Sequence, residues 1–239
     1  MKKEYEILIE GLSKWNIQIT NDQISTFKKF LEVLIKWNEI TNITSILSIK
    51  EIIIKHFLDS ISSSKFIEYS SQKIIDIGLG AGFPGLPLKI IFSDLEVTFV
   101  ESSKKKSNIL KSICKELEIE NGIIIINDNI EKLGRDEYFR EKYDLSLSRA
   151  VASLSTILEY SIPLLKIGGK AIAYKGSNCS TEVENSVNAL TKLNAVITEN
   201  TEFHLPFSNY ARRIIIVEKT GKTDDYFPRK TGIPRKKPL

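Results

Sequence analysis

One stretch constrains this chain more than any other: Lys73-Ile74-Ile75-Asp76-Ile77 runs straight into Gly78-Leu79-Gly80-Ala81-Gly82-Phe83-Pro84-Gly85. The first five residues have the apolar pattern of a short buried strand, and the glycine cluster ends it. Glycine lets the backbone turn tightly and lets a ligand approach with no Cβ in the way. Leu86–Phe92 can then be helical. The same rhythm continues, with strands expected at 96–100, 122–126, 143–148 and 170–174. Helices are expected at 104–117 and 154–165. Strands alternating with helices indicate a parallel sheet covered on both faces. The rhythm breaks at the end of the chain. A helix at 181–193, a strand at 195–203, a short loop with Pro206 and a strand at 212–219 read as a hairpin that adds an antiparallel strand.

Residues 1–71 read as a helical extension. Ile24, Phe27, Leu31 and Leu34 follow one helix face, widened by Phe30, Val33 and Trp37, and Thr20 or Asn21 can cap that helix. A polar break at 38–48 precedes a second apolar run, Ile52-Ile53-Ile54, Phe57-Leu58 and Ile61. Such wide faces must pack on the sheet. Residues 72–219 would form the α/β domain and 220–239 a basic tail, too polar and rich in proline to build a core. From Arg212 to Leu239 there are nine basic and three acidic residues, a surplus of six in a chain whose net charge is +4. A basic terminus on a near-neutral body suits a polyanionic partner, and equally a solvated tail. No apolar run reaches membrane-spanning length, and the charged start carries no signal-peptide pattern. Cys114 and Cys179 stand alone, as in a reducing cytoplasm, and no histidine or cysteine spacing suggests a metal.

Ligands of an open parallel sheet bind beyond the carboxyl ends of its strands, where the glycine loop lies. Glu101, about 20 residues on at the end of the next strand, stands where an acidic residue binds a ribose diol. A nucleoside-containing ligand follows. Phe83 occupies the sixth place of G-x-G-x-x-G, against a dinucleotide, and the loop resembles the D-x-G-x-G-x-G motif of class I methyltransferases.

The likeness extends further. Residues 76–88, Val100-Glu101-Ser102, Ser148-Arg149-Ala150-Val151-Ala152, Pro163-Leu164-Leu165 with Gly168-Gly169, and Lys175-Gly176 resemble the bacterial small-subunit ribosomal RNA guanine-N7 methyltransferases, the glucose-inhibited division protein B family. So do Trp37-Asn38, Thr41-Asn42-Ile43-Thr44, His56-Phe57-Leu58-Asp59-Ser60, and the ending from Tyr226 to Ile233-Pro234 and Pro238-Leu239. The resemblance covers Leu31 to Leu239. It implies an α/β class I methyltransferase (Rossmann-like) fold, a mostly parallel seven-stranded sheet with one antiparallel strand. It also implies S-adenosylmethionine as cofactor, with 16S ribosomal RNA or a small-subunit precursor as partner; a monomer is expected. By position, Gly78, Gly80, Gly82, Phe83 and Glu101 would line the cofactor, Ile130 and Glu131 would flank its adenine, and Arg149 would sit between cofactor and base. Two positions depart from the family: Asn129 replaces a basic residue, and Leu79 a small one.

Guanine N7 carries a lone pair and no proton, so its methylation needs orientation rather than a base. The Asn/Asp-Pro-Pro-aromatic motif of amine methyltransferases is absent at 148–151. Arg149 could stabilise charge or hold a phosphate or base edge, or pair with a local carboxylate. Lys175, at the end of the fifth strand, is the second catalytic candidate. Arg212, Arg213, Arg229 and Lys230 are candidate RNA contacts. His56 and Asp59 could reach the cofactor rim or serve helix packing. The competing functions are a methyltransferase for a small molecule, which has no use for a basic terminus, and a non-catalytic RNA-binding module, which has none for the glycine loop and Glu101.

Overall fold

The computed structural model describes residues 2–67, 71–78 and 80–239; Leu79 lies outside them. The N-terminal helices are α1 (Lys2–Ser13), α2 (Asn21–Thr41), α3 (Ile49–Ile52) and α4 (Asp59–Ile61), the last two joined by a π-helical stretch, Ile53–Leu58. Then follow β1 (Lys73–Ile77), α5 (Gly85–Ile91), β2 (Glu96–Val100), α6 (Lys104–Leu117), β3 (Ile123–Ile126), α7 (Ile130–Leu133) and β4 (Tyr143–Arg149). The chain closes with α8 (Leu154–Ser161), β5 (Leu165–Gly176), α9 (Ser180–Glu184), α10 (Val187–Leu193), β6 (Ala195–His204), β7 (Ala211–Lys219) and α11 (Ile233–Lys236). The seven strands lie in the order β3-β2-β1-β4-β5-β7-β6. β1 to β5 are parallel, and β7 runs antiparallel to both β5 and β6.

Thr20 caps α2 in a capping box with Gln23, satisfying two otherwise orphan amides. The helix outlasts the expected break at 38. Asn38 is buried and its Oδ1 accepts the Thr44 amide at 2.8 Å, so this polar residue serves the helix end rather than solvent. α1 lies in the region expected to be helical, and its Leu8 and Leu12 are fully buried. Pro163 lacks an amide proton, and α8 gives way to a 3-10 turn at Ile162–Leu164. β5 therefore begins five residues before the expected start at 170.

Strand side chains alternate between faces, and the two cores follow that alternation. Ile74, Leu145, Leu147, Ile172, Ile214 and Ile216 pack with the N-terminal helices, α5 and α6. Ile75, Ile77, Ala171, Ala173, Ile215 and Val217 pack with α7, α8 and α10. The N-terminal helices thus share a core with the sheet.

The tail departs from the expectation that it builds no core. Phe227, Pro228 and Pro234 are buried, and Pro228 Cγ would lie 2.7 Å from a Cβ at Gly134. Arg135 and Arg140 donate to the Pro228 and Phe227 carbonyls at 2.7 Å each. Arg229 forks onto the fully buried Glu159, with Nε to Oε1 at 2.9 Å and Nη2 to Oε2 at 2.6 Å, while its amide donates to Oε1 at 2.8 Å. Net positive composition hid this, because few tail residues carry the packing. Removing one partner of a buried pair strands the other charge, at a cost of roughly 3–5 kcal/mol. Arg229→Ala is expected to lose stability of that order in urea unfolding. A midpoint equal to wild type would show that the tail is not locked in this way.

Candidate active site

The carboxyl ends of the parallel strands carry the candidate residues. Gly78 leaves β1 with φ +75°. At Gly82 a Cβ would fall 2.5 Å from Leu86 Cδ1, so close packing with α5 demands glycine there. Gly80 differs: a Cβ would meet nothing within 4 Å. Open space above this backbone is the cradle a ligand would fill. Beneath it, Asp76 is fully buried; its Oδ2 accepts the Gly85 amide at 2.7 Å and its Oδ1 has no partner. Burial pushes the Asp76 carboxyl up to about 7. The site candidates did not include Asp76, although it opens the D-x-G-x-G-x-G motif. At the end of β2, Glu101 Oε1 accepts the Ser103 amide at 2.8 Å, and Oε2 has no hydrogen-bond partner among the described residues. An adenosyl group needs an acceptor for its ribose diol and a Cβ-free approach for its methionine part, and these residues provide both.

Phe83 and Glu131 also have partners within the fold. The Phe83 ring is buried, stacked on Phe30 (5.3 Å between centroids) and His56 (4.6 Å). Glu131 Oε1 accepts the Gly232 amide at 2.8 Å, which ties α7 to the tail, while Ile130 joins the core beside it.

Beside the cradle lies a cavity of about 440 Å³ whose charged lining is Lys55, Arg149, Lys175 and Arg212 against Asp59 and Glu182. β4 points Arg149 to the same face as Leu145 and Leu147, into the π-helical stretch. There it donates to Lys55 O and Asp59 Oδ2, both at 3.1 Å, and to His56 Nδ1 at 3.0 Å, with its guanidinium 5.2 Å from the Phe83 ring centre. Guanidinium only donates, so Nδ1 is the accepting nitrogen of His56 and Nε2–H donates to Thr44 Oγ1 at 2.8 Å. Burial above all, with Arg149, Arg212 and Lys55 nearby, pushes the imidazole down to about 3, so His56 is neutral. Asp59 is 3% exposed and takes Arg212 Nε on its second oxygen at 3.1 Å. Burial raises its carboxyl, and the two arginines oppose this.

Because β7 is antiparallel, its first residues reach the same edge. Arg213 pairs in register with Lys175, and Arg212 with Gly176. Alternation sends Arg212 to Asp59 and Arg213 to the other face, where Glu202 and Asn200 hold it. Lys175 donates to Ala152 O at 2.7 Å and Glu182 Oε2 at 2.6 Å. Of the four expected RNA contacts, Arg212 lines the cavity, Arg213 and Arg229 are engaged by carboxylates, and Lys230 is exposed far along the tail. Cys114 and Cys179 are buried, and burial raises both thiols.

Fold and site together define a class I S-adenosylmethionine-dependent methyltransferase. The fold is similar to that of the fibrillarin pre-rRNA processing protein of Methanococcus jannaschii (17% identity, TM-score 0.51, covering 65% of this chain and 70% of that one). It is similar also to that of a SAM-dependent O-methyltransferase of Thermotoga maritima (16% identity, TM-score 0.53, 80% and 72% covered). Residues 23–213 match the family GidB, rRNA small subunit methyltransferase G, and the chain belongs to that family. Its relatives include the ribosomal RNA small subunit methyltransferase G of Acetivibrio thermocellus, 43% identical over 98% of this chain and 96% of the relative. That of Bacillus cereus is 40% identical over 95% of each. Among the described residues, no helix is long and apolar enough to cross a membrane.

Gly80→Val would fill the open cradle. Calorimetry should show S-adenosylmethionine binding lost in a protein that still folds, with a modest loss of stability from a branched residue at φ +50°; unchanged affinity would remove the loop from the site. His56 gives a second expectation. Its folded value lies far below its unfolded 6.5, so it contributes stability above about pH 6.5 that is lost as pH falls toward 3. Asp76, raised to about 7, acts in the opposite sense over the same range, so wild type alone will not display the effect. The difference between wild type and His56→Gln isolates it. Between about pH 6 and 4 wild type should lose roughly 1.4 kcal/mol per pH unit relative to the variant in denaturant unfolding. A flat difference would mean that His56 is protonated in the fold.

Proposed function

We propose that the chain methylates N7 of one guanine in 16S ribosomal RNA, free or in a small-subunit precursor, acting as a monomer in the cytoplasm. The observation that carries this reading is the cavity beside the Gly80 cradle: four cationic side chains line it against two carboxylates, and its imidazole and its buried carboxylate are both engaged. Both His56 nitrogens are hydrogen-bonded and both Asp59 oxygens face arginines. Guanine N7 has no proton to lose, so a site in which His56 and Asp59 are held by other groups is sufficient for it. The relatives' names, which specify the small ribosomal subunit, support the RNA substrate.

S-adenosylmethionine supplies an electrophilic methyl group. Gly78, Gly80 and Glu101 would hold it above the unpartnered Asp76 Oδ1, and Ile130 would lie against its adenine. The chain's own contribution is orientation, which can supply roughly 7–11 kcal/mol of barrier reduction in favourable cases. Arg149 is suited to that work because three acceptors fix its guanidinium before substrate arrives. Lys175 and Arg212 would hold the base or an adjoining phosphate. The A-form major groove hides N7, so the target must be unpaired or in an irregular loop. The division into a helical extension (1–71), a catalytic domain (72–219) and a tail (220–239) fits this use, since the extension closes the cavity over Arg149.

Mapping ribosomal RNA methylation by mass spectrometry with and without the gene tests the substrate. One N7-methylguanine in 16S RNA should vanish with the gene; an unchanged map would end the proposal. For the site, Arg149→Ala should lower single-turnover methylation at least tenfold, about 1.4 kcal/mol, with cofactor affinity nearly unchanged. A wild-type rate would make Arg149 purely structural.

A further inference from the structure

Methylation at N7 moves charge as well as carbon. The N7 lone pair forms the new N–C bond, the bond to sulfur breaks with its electron pair returned to sulfur, and no proton moves. The positive charge of the sulfonium therefore ends on the guanine ring, inside a cavity already lined by four cationic side chains. Something must balance it. Two carboxylates line that cavity. Asp59 is spent, one oxygen on Arg149 and the other on Arg212. Glu182 is half spent: Oε2 accepts from Lys175 Nζ at 2.6 Å and from the Leu154 amide at 2.9 Å. Oε1 has no partner among the described residues, and the side chain is 36% exposed.

We propose that Glu182 Oε1 reads the Watson–Crick edge of the target guanine, accepting hydrogen bonds from N1–H and the 2-amino group. This rests on guanine N7 as the target. The chemistry selects that base. Guanine presents two adjacent donors on this edge, adenine and cytosine present a ring-nitrogen acceptor, and uracil sets a single donor between two carbonyls. A polar site built for the guanine donors rejects bases that leave it unpaired. The contact also favours the reaction itself. As N7 acquires the methyl group the ring becomes cationic and its N1–H a stronger donor, so the bond to a carboxylate tightens toward the transition state. Glu182 is oriented beforehand by Lys175 and the first amide of α8, so little reorganisation is needed. Lys175 thus becomes a positioning residue for Glu182.

The test pairs a change in the protein with a change in the base. A ligated 16S RNA carrying inosine at the mapped guanine keeps N1–H and N7 but lacks the 2-amino group. Wild type should methylate it at least tenfold more slowly than the guanosine RNA. Glu182→Gln, which replaces the free oxygen by an amide donor or a neutral acceptor, should be at least tenfold slower on guanosine RNA. That variant should lose little more on inosine, because both changes remove the same interaction. RNA affinity measured with S-adenosylhomocysteine bound should follow the same pattern. Losses that multiply would overturn the proposal, as would a Glu182→Gln enzyme with the wild-type rate. Equal wild-type rates on guanosine and inosine would overturn it without any variant, should Glu182→Gln fail to fold. Failure of the guanine-N7 reading shows separately, as a wild-type control with no methyl at N7.

Discussion

Asp59 is the interaction on which the rest of the site depends. It is almost wholly buried, and a carboxylate removed from water is costly unless charged donors surround it. Arg149 from β4 and Arg212 from β7 supply them, one to each oxygen. Three segments distant in sequence are thereby fixed at one point on the carboxyl edge of the sheet. The N-terminal helices are therefore more than an appendage. They complete the cavity, and they bring His56 to accept from Arg149 and to stack on Phe83. Charge-assisted bonds of this kind are strong and directional, which is what a site working by orientation needs.

The division of labour between the faces follows from strand alternation. Arg149 and Arg212 share a face with the N-terminal helices; Lys175, next to Tyr174 on β5, turns to the other, where α9 brings Glu182. Tyr174 itself donates to Ser60 O on the helical side. The cavity thus opens across the sheet edge, with one carboxylate from each side. β7 can join it because it runs antiparallel, which places the beginning of a strand among the ends of the others.

The tail shows how charge and packing divide within one segment. Arg229 is consumed by Glu159, and Glu131 is drawn toward Gly232. Lys230, Arg235, Lys236 and Lys237 remain exposed. The positive potential of the terminus and its structural attachment therefore reside largely in different residues.

The sequence by itself determined the sheet, the loop and the chemistry of the ligand. Short apolar runs, helical periodicity and glycines are local signals, and β1, β2 and α6 fall where that patterning puts them. The placement of Gly80 and Glu101 just beyond the ends of β1 and β2 was legible for the same reason, since it follows from position after a strand. The burial of α1 was not legible, because it depends on helices distant in the chain. Nor were the states of Asp76, His56 and Asp59, or the commitment of Arg229, Phe83 and Glu131. Whether a charged side chain faces solvent, substrate or a buried partner is set by desolvation and by which groups arrive beside it. Those groups come from segments tens to hundreds of residues away, as Asp59 and Arg212 do, and only the tertiary structure brings them together.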